Sequence, residues 1–234
     1  MLRDIQIQVG APDASRREDG DGVAEALIDG VLSVPHGAVG AVLFAHGSGS
    51  SRHSRRNRAV AAALQEVRLA TLLLDLLTPA EEIVDERSRM FRFDIPLLAD
   101  RLGDAVRWLQ TDSTTRALPI GLFGASTGAA AALVAAAQPS SPVRAVVSRG
   151  GRPDLAGHLL YRVRAPTLLI VGGNDVDVLR LNRAALHQLG GPAELAVVAG
   201  ATHLFEEPGA LKQVGSLARS WFLQHLQAAT VAHP

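Results

Sequence analysis

The chain has 234 residues, of which 47% are hydrophobic, and its 23 basic and 23 acidic residues give a formal net charge of zero. This length and composition suit one large α/β domain with a substantial core. Balanced charge provides no global field for nucleic acid or an acidic membrane surface, so we expect neither as a partner. The sequence contains no cysteine, which excludes disulfides and thiolate chemistry.

No long apolar run occurs at the N-terminus, and no stretch of about 18 apolar residues is free of charge, so we expect neither a signal peptide nor a membrane span. A cytoplasmic protein, monomeric or homodimeric, is the default expectation. We expect a single domain over residues 1–234. It divides into an N-terminal strand and polar loop (1–29), a catalytic core (30–228) and a tail (229–234).

Apolar patterning predicts the elements in chain order. Residues 5–9 alternate like a half-exposed strand, and residues 10–22 form a polar loop. The later strands are predicted at 31–35, 39–45, 70–76, 118–123, 143–147, 167–171 and 195–198. Helices are predicted at 56–68, 95–110, 129–137, 178–189 and 209–227. Residues 79–93 are rich in charge and are interpreted as a solvated connection, or at most a small mobile flap.

Strands and helices alternate along most of the chain. This predicts an α/β protein with a mostly parallel sheet of about seven or eight strands and helices on both faces. No insertion is long enough for a large cap domain. In such sheets, functional sites form beyond the carboxyl ends of the strands.

Residues 124–128 read Gly-Ala-Ser-Thr-Gly, the Gly-x-Ser-x-Gly pattern of a nucleophile elbow. The pattern alone is a weak signal, but a predicted strand precedes it and a predicted helix follows it, which is the setting that the motif requires. The turn lifts the serine hydroxyl above the sheet, and the glycines let strand and helix approach closely. We therefore predict that Ser126 is a nucleophile. The alternative is an ordinary glycine-rich turn.

A serine hydroxyl is a poor nucleophile unless a base takes its proton. His203, between the last predicted strand and the last helix, is the best candidate for that base. Asp175 follows the strand at 167–171 and two glycines, so it can orient the histidine, while Asp177 is the competitor. Either aspartate could instead cap the next helix. The order serine, acid, histidine is that of α/β-hydrolases.

An oxyanion hole needs two backbone N–H groups aimed at the developing negative charge. We predict that one belongs to Thr127, directly after the nucleophile, and that the other belongs to Ser48 in the glycine-containing loop 46–49. His46 is expected to shape this loop rather than to react.

These motifs together resemble the α/β-hydrolase superfamily and, more closely, its dienelactone-hydrolase-like branch. The resemblance runs from about residue 30 to residue 227, and it is carried by the segments 44–50, 121–128, 171–175 and 200–203. It implies the α/β-hydrolase fold and a Ser126, Asp175 and His203 triad. Dienelactone hydrolase proper uses a cysteine nucleophile, which this chain lacks, so its substrate is not implied. Proteins with this pattern also occur fused to phosphoribosyltransferase domains, and nothing in this sequence suggests that second domain.

Several arginines follow predicted strand ends and should border the mouth of the site. We hypothesise that Arg149, either alone or with Arg52, binds a substrate carboxylate or phosphate. The alternative is a solvated, internally paired surface.

The sequence thus predicts a serine hydrolase that cleaves a small carboxylic ester, lactone or thioester through an acyl-enzyme, and an anionic substrate is one option. No cofactor and no metal is expected. Two alternatives stay open. The same triad could transfer the acyl group to an acceptor other than water, or the chain could be a non-catalytic relative that binds a ligand or partner.

Overall fold

Eight strands form one open sheet in a computed structural model that describes residues 1–10 and 26–226. In chain order, β1 to β8 span Leu2–Val9, Ala26–Ser33, Gly40–Ala45, Leu69–Leu74, Ile120–Ala125, Val143–Arg149, Thr167–Gly172 and Ala193–Val198. The strand order across the sheet is β1-β2-β4-β3-β5-β6-β7-β8. β1 and β2 pair antiparallel, as do β2 and β4, while every pair from β4 to β8 is parallel.

Helices connect the parallel strands. In chain order, α1 to α6 span Arg55–Gln65, Pro79–Ser88, Ile95–Thr111, Thr127–Ala136, Val176–Leu186 and Ala210–Leu226. A 3₁₀ segment, Pro153–Arg162, broken at Gly157, follows β6. Among the described residues, these connections contain no separate cap domain. None of the helices described is long and apolar enough to cross a membrane.

The core lies in two layers, one on each face of the sheet. Helices α1 and α6 cover one face, where Phe44 and Phe123 lie in contact with ring centroids 4.8 Å apart. Helices α3, α4 and α5 cover the other face. The strands β3, β4, β5 and β7 are buried at every position, as parallel strands covered on both faces must be. The carboxyl ends of these strands therefore meet at one edge, where the connecting loops can gather polar groups.

The expected fold class, a mostly parallel sheet with helices on both faces, is confirmed. β2 begins at Ala26, so it crosses the predicted boundary at residue 30. Most of the predicted polar loop at 10–22, and the predicted tail at 229–234, lie outside the described residues.

The charged connection at 79–93 differs from expectation, because most of it is helix α2. Thr78 and Glu81 form a capping box, and Pro79 occupies the first turn. Only Glu81 and Asp85 are buried, so the helix lacks the apolar stripe from which helices are predicted. Asp85 accepts hydrogen bonds from the backbone N–H groups of Phe91 and Arg92, which holds the following turn in place.

A buried ion pair connects α2 to α3. Arg101, only 1% exposed, donates to Glu81 Oε1 at 2.7 Å and to the carbonyl oxygen of Gly10 at 2.5 Å. Removing one partner of such a pair leaves a buried charge without compensation.

Glu81→Ala should therefore lower the free energy of unfolding by about 3–5 kcal/mol, since Arg101 cannot lose its charge. Urea denaturation followed by circular dichroism measures the change. Glu82→Ala, at an exposed position on the same helix, is the matched control and should change stability by less than about 0.5 kcal/mol. Equal effects of the two substitutions would contradict the assigned role of the pair.

Candidate active site

Ser126 occupies a left-handed backbone conformation, with φ 52° and ψ −120°, between the end of β5 and the start of α4. A non-glycine residue there costs about 1–3 kcal/mol and persists only where its surroundings enforce it. The Ser126 N–H donates to the Arg149 carbonyl oxygen at 3.2 Å, and the Ser126 carbonyl oxygen accepts from the N–H groups of Ala129 and Arg152. The strained turn is thus held from both β6 and α4.

The two glycines of the elbow are required by backbone packing. A Cβ at Gly124 would lie 2.4 Å from Ala129 Cα, and a Cβ at Gly128 would lie 2.3 Å from the carbonyl oxygen of His46. Any side chain at either position would push α4 away from β5 or from the end of β3. The close approach therefore places the serine turn directly beside the loop that follows β3.

Asp175 and His203, which lie 28 residues apart, are brought together. His203 Nδ1 lies 2.6 Å from Asp175 Oδ2. An ionised carboxylate can only accept, so Nδ1 carries the proton and Nε2 is left as the acceptor. Asp175 stands at the N-cap position of α5 but makes no side-chain cap there. Asp177, the competing acid, is exposed in the first turn of that helix.

Backbone contacts between the loops after β7 and β8 create this pairing. A Cβ at Gly172 would lie 2.4 Å from the Ala201 carbonyl oxygen, so only glycine permits the approach. The Asn174 side chain donates to the Gly200 carbonyl oxygen at 2.9 Å, and the Asn174 N–H donates to that of Ala201 at 2.9 Å. Asn174 was not among the predicted site residues, although its position between Gly173 and Asp175 was a usable signal.

A second support lies within the histidine loop itself. Glu207 Oε1 accepts from the Thr202 N–H at 3.0 Å and from the Thr202 hydroxyl at 2.6 Å. These hydrogen bonds lower the pKa of the Glu207 carboxyl, because they favour its charged form. The contact between Thr202 and Glu207 holds the loop that carries His203. It could not be predicted from the sequence, because the two residues meet only once the turn has folded.

The His203 ring lies against Gly150, where a Cβ would be 3.5 Å from the ring atoms Cε1 and Nδ1. Gly150 directly follows Arg149, the partner of the Ser126 N–H, so imidazole and serine turn share one edge of the sheet. The Ser126 hydroxyl and His203 Nε2 are not hydrogen-bonded to each other within the part of the chain that the structure describes. Such contacts often tighten only when substrate binds.

The residues predicted for the oxyanion hole line one cavity. Ser48 and Thr127 both line a cavity of about 160 Å³ that extends toward α2, where Glu82, Glu86 and Arg92 form its wall. Thr127 begins α4, where backbone N–H groups have no partner within the helix.

His46 fixes the loop that carries Ser48. Its Nδ1 donates to the Gly47 carbonyl oxygen at 2.9 Å, while its Nε2 accepts from the Leu76 N–H at 3.1 Å. The Gly47 carbonyl and the Ser48 N–H belong to the same planar peptide group, so the imidazole sets the direction of that N–H. This geometry agrees with the expected role of His46 in shaping the loop.

The arginines of the hypothesised anion site differ from one another. Arg52 donates to Asp75 from both its backbone and its guanidinium, and it lies 3.5 Å from Asp29, so its charge is already compensated. Arg149 is 8% exposed, and its Nη1 has no hydrogen-bond partner among the described residues. The two arginines of the hypothesis therefore differ in whether a carboxylate already compensates their charge. Within the described ranges, no three His, Cys, Asp or Glu side chains are grouped so that they could hold a metal ion.

The parallel sheet and the strained serine turn after β5 define the class: this is an α/β-hydrolase fold. The chain belongs to the dienelactone hydrolase family, whose sequence pattern matches residues 80–225. The crystal structure of a dienelactone hydrolase from Anabaena variabilis is similar, with 52% sequence identity and a TM-score of 0.87, over 97% of this chain and 99% of that one. Est1E from Butyrivibrio proteoclasticus shares the fold at 16% identity, with a TM-score of 0.72 over 94% of this chain and 98% of that one.

A longer protein is also similar in sequence. A Mycobacterium tuberculosis protein, provisionally named a phosphoribosyl transferase, is 58% identical over 225 residues. The match covers 96% of this chain but 47% of that protein, so the chain spans about half the length of this relative.

Lowering the pH should destabilise the protein through His46. Burial lowers the pKa of His46 below its ordinary value of 6.5, because the surroundings disfavour the charged ring and the Leu76 N–H needs an acceptor. The unfolded chain then binds a proton more readily than the folded chain. The contribution of His46 is therefore fully present above pH 6.5, and it is lost at no more than about 1.4 kcal/mol per pH unit as the pH falls below that value.

Urea unfolding at pH 7.5 and pH 5.5 tests this expectation. His46→Gln is the comparison, since glutamine keeps an acceptor for the Leu76 N–H but does not titrate. The unmodified protein should lose more free energy of unfolding than the variant between these pH values. Equal losses would show that His46 is not the titrating group.

Proposed function

We propose that this protein is a serine hydrolase that cleaves a small carboxylic ester, lactone or thioester, with Ser126 as nucleophile, His203 as base and Asp175 as the orienting acid. The observation that carries the proposal is the 2.6 Å contact of Asp175 Oδ2 with His203 Nδ1 beside a serine held at φ 52°. If the Asp175–His203 contact were only a surface ion pair or a helix cap, the strained serine at the same edge of the sheet would have no explanation.

The orientation of the imidazole determines its role. Asp175 accepts the Nδ1 proton, so Nε2 is free to take the proton of the Ser126 hydroxyl as the oxygen attacks the carbonyl carbon. The Asp175 carboxylate then stabilises the imidazolium that forms. When the tetrahedral intermediate collapses, Nε2 returns the proton to the leaving group, and an acyl-enzyme remains on Ser126.

The backbone N–H groups of Ser48 and Thr127 are proposed to bind the negative charge that develops on the carbonyl oxygen. The start of α4 beneath the serine adds the positive end of a helix dipole. Water activated by His203 then attacks the acyl-enzyme, and Ser126 is restored. Apart from water and the substrate, the groups in this sequence are supplied by the chain itself.

A cavity of about 160 Å³ is lined by Ser48 and Thr127, the proposed oxyanion residues, though not by Ser126 or His203, and its size supports a small substrate. Its lining combines polar side chains, among them Glu82 and Arg92, with Leu76, Leu77 and Leu98, so it offers both hydrogen-bonding and apolar contacts to a substrate. The activity in the name of the longer mycobacterial relative is not transferred to this chain, since the match leaves more than half of that protein uncovered.

Ser126→Ala should abolish hydrolysis of 4-nitrophenyl acetate and covalent labelling by a fluorophosphonate probe, because both reactions form a bond to the serine oxygen. Mass spectrometry of the labelled peptide identifies the site. Ser220→Ala, at an exposed position on α6, is the control and should label fully. Full labelling of the Ser126 variant would exclude the proposed nucleophile.

Asp175→Asn should lower kcat by roughly 10³–10⁴-fold, because an amide in this position favours the wrong imidazole tautomer. Asp177→Asn is a matched control two residues away, at an exposed position, and should leave kcat within about twofold. Steady-state kinetics with an activated ester measures both. If the two variants lost activity in the reverse order, Asp177 would be the acid.

A further inference from the structure

Arg149 stands out among the described arginines because it is deeply buried and unpaired. Arg149 is the last residue of β6, and it is 8% exposed. No carboxylate lies within ion-pair distance of its side chain in the described ranges. Burial, and then the charge of Arg56, lower the pKa of Arg149 to about 10, so it still carries its charge at neutral pH. A buried charge without a partner is costly, and such groups are concentrated at functional sites.

Strand geometry places the Arg149 side chain in the layer that α1 and α6 cover. Alternate residues of a strand face the same side of a sheet, and Ala145 and Val147 pack into the layer that α1 and α6 cover. Arg149 is two residues further along the same strand, so its side chain faces the same layer, at the carboxyl end of the strand. The electrostatic influence of Arg56 on Arg149 is consistent with this placement.

Arg56 is the second residue of α1, an eleven-residue helix with no acidic side chain in its first turn. The backbone N–H groups there add partial positive charge at the same point. The only carboxylate that pairs with Arg56 in the described structure is Glu206, at 3.2 Å, with a side chain 67% exposed. This exposed ion pair compensates little charge and leaves the guanidinium accessible from solvent.

We infer that Arg149 and Arg56, at the start of α1, bind an anionic group of the substrate, either a carboxylate or a phosphate. The inference rests on the proposed function, and it narrows the substrate to an ester, lactone or thioester that also carries an anion. An oxyanion between the two guanidinium groups would accept hydrogen bonds from both and relieve their repulsion.

The position agrees with a substrate subsite. The Arg149 carbonyl oxygen accepts the Ser126 N–H, and Glu206, which contacts Arg56, is three residues beyond His203. The two arginines therefore flank the proposed catalytic residues on the α1 side. Arg152, the other arginine of this strand end, is bound by both oxygens of Asp154 and is not available in the same way.

Calorimetry with the Ser126→Ala protein tests binding without any need for catalysis. Succinate and inorganic phosphate are titrated separately, so that the preferred probe identifies the type of anion. Adding Arg149→Met should weaken binding of the preferred probe by at least about tenfold. Adding Arg116→Met, which removes the same charge at an exposed position before β5, should leave it unchanged. Binding of neither probe, or equal binding by all three proteins, would overturn the inference.

Kinetics on the active protein provide the second test. The ratio of kcat/KM for the mono-4-nitrophenyl ester of succinate to that for 4-nitrophenyl butyrate should fall at least about tenfold in Arg149→Met and stay constant in Arg116→Met. An unchanged ratio in Arg149→Met would contradict a substrate subsite.

Two further variants separate recognition from folding. Arg149→Lys should retain part of the preference for the succinate ester over the butyrate ester, because lysine keeps the positive charge. Arg56→Met, at a more exposed position, replaces Arg149→Met if that variant does not fold. If no ester is hydrolysed at all, the proposed function fails, while the calorimetry still decides whether the anion site exists.

Discussion

The close approach of α4 to the ends of β3 and β5 is the constraint on which the site depends. Two positions without a Cβ, Gly124 and Gly128, allow backbone to pack against backbone at distances that any side chain would prevent. The approach forces Ser126 into a left-handed conformation and places the loop of Ser48 beside it. Backbone hydrogen bonds stabilise the strained turn: the Ser126 N–H donates to Arg149 at the end of β6, and the Ser126 carbonyl oxygen accepts from the Arg152 N–H.

A similar contact brings the other half of the site into place. Gly172 lets the loop after β8 pack onto the end of β7, and this contact, together with the hydrogen bonds of Asn174, brings His203 to Asp175. Both halves therefore use the same principle, in which missing side chains at strand ends permit loops to converge. Catalytic geometry of this kind depends on a rigid sheet, because small displacements would separate groups that must exchange a proton.

Charge is distributed unevenly around this edge. Arg52, Arg92 and Arg152 each have a carboxylate partner, so their charges serve mainly to hold loops in position. Arg149 has none in the described structure, and the charge of Arg56 lowers its pKa further after burial has done so. The contrast distinguishes arginines that stabilise the fold from one whose charge is left for a ligand, a distinction that residue type alone does not make.

The sequence by itself determined the sheet, most of its helices and the residues proposed for catalysis. Continuous apolar runs indicated buried parallel strands, and the elbow around Ser126 is recognisable because its glycines are needed locally. Helix α2 was not predicted, since its inward side carries Glu81 and Asp85 rather than apolar residues, and only a partner from α3 makes the burial of Glu81 favourable.

Tertiary structure alone decided which charges are paired. The sequence joined Arg52 with Arg149 as a hypothetical anion site, but folding gives Arg52 to Asp75 and places Arg149 near Arg56. It also decided how Asp175 and Asp177 differ, since only the first lies against His203. Which side chains form pairs depends on contacts between residues far apart in the chain. Local sequence patterns do not predict the distances between such residues.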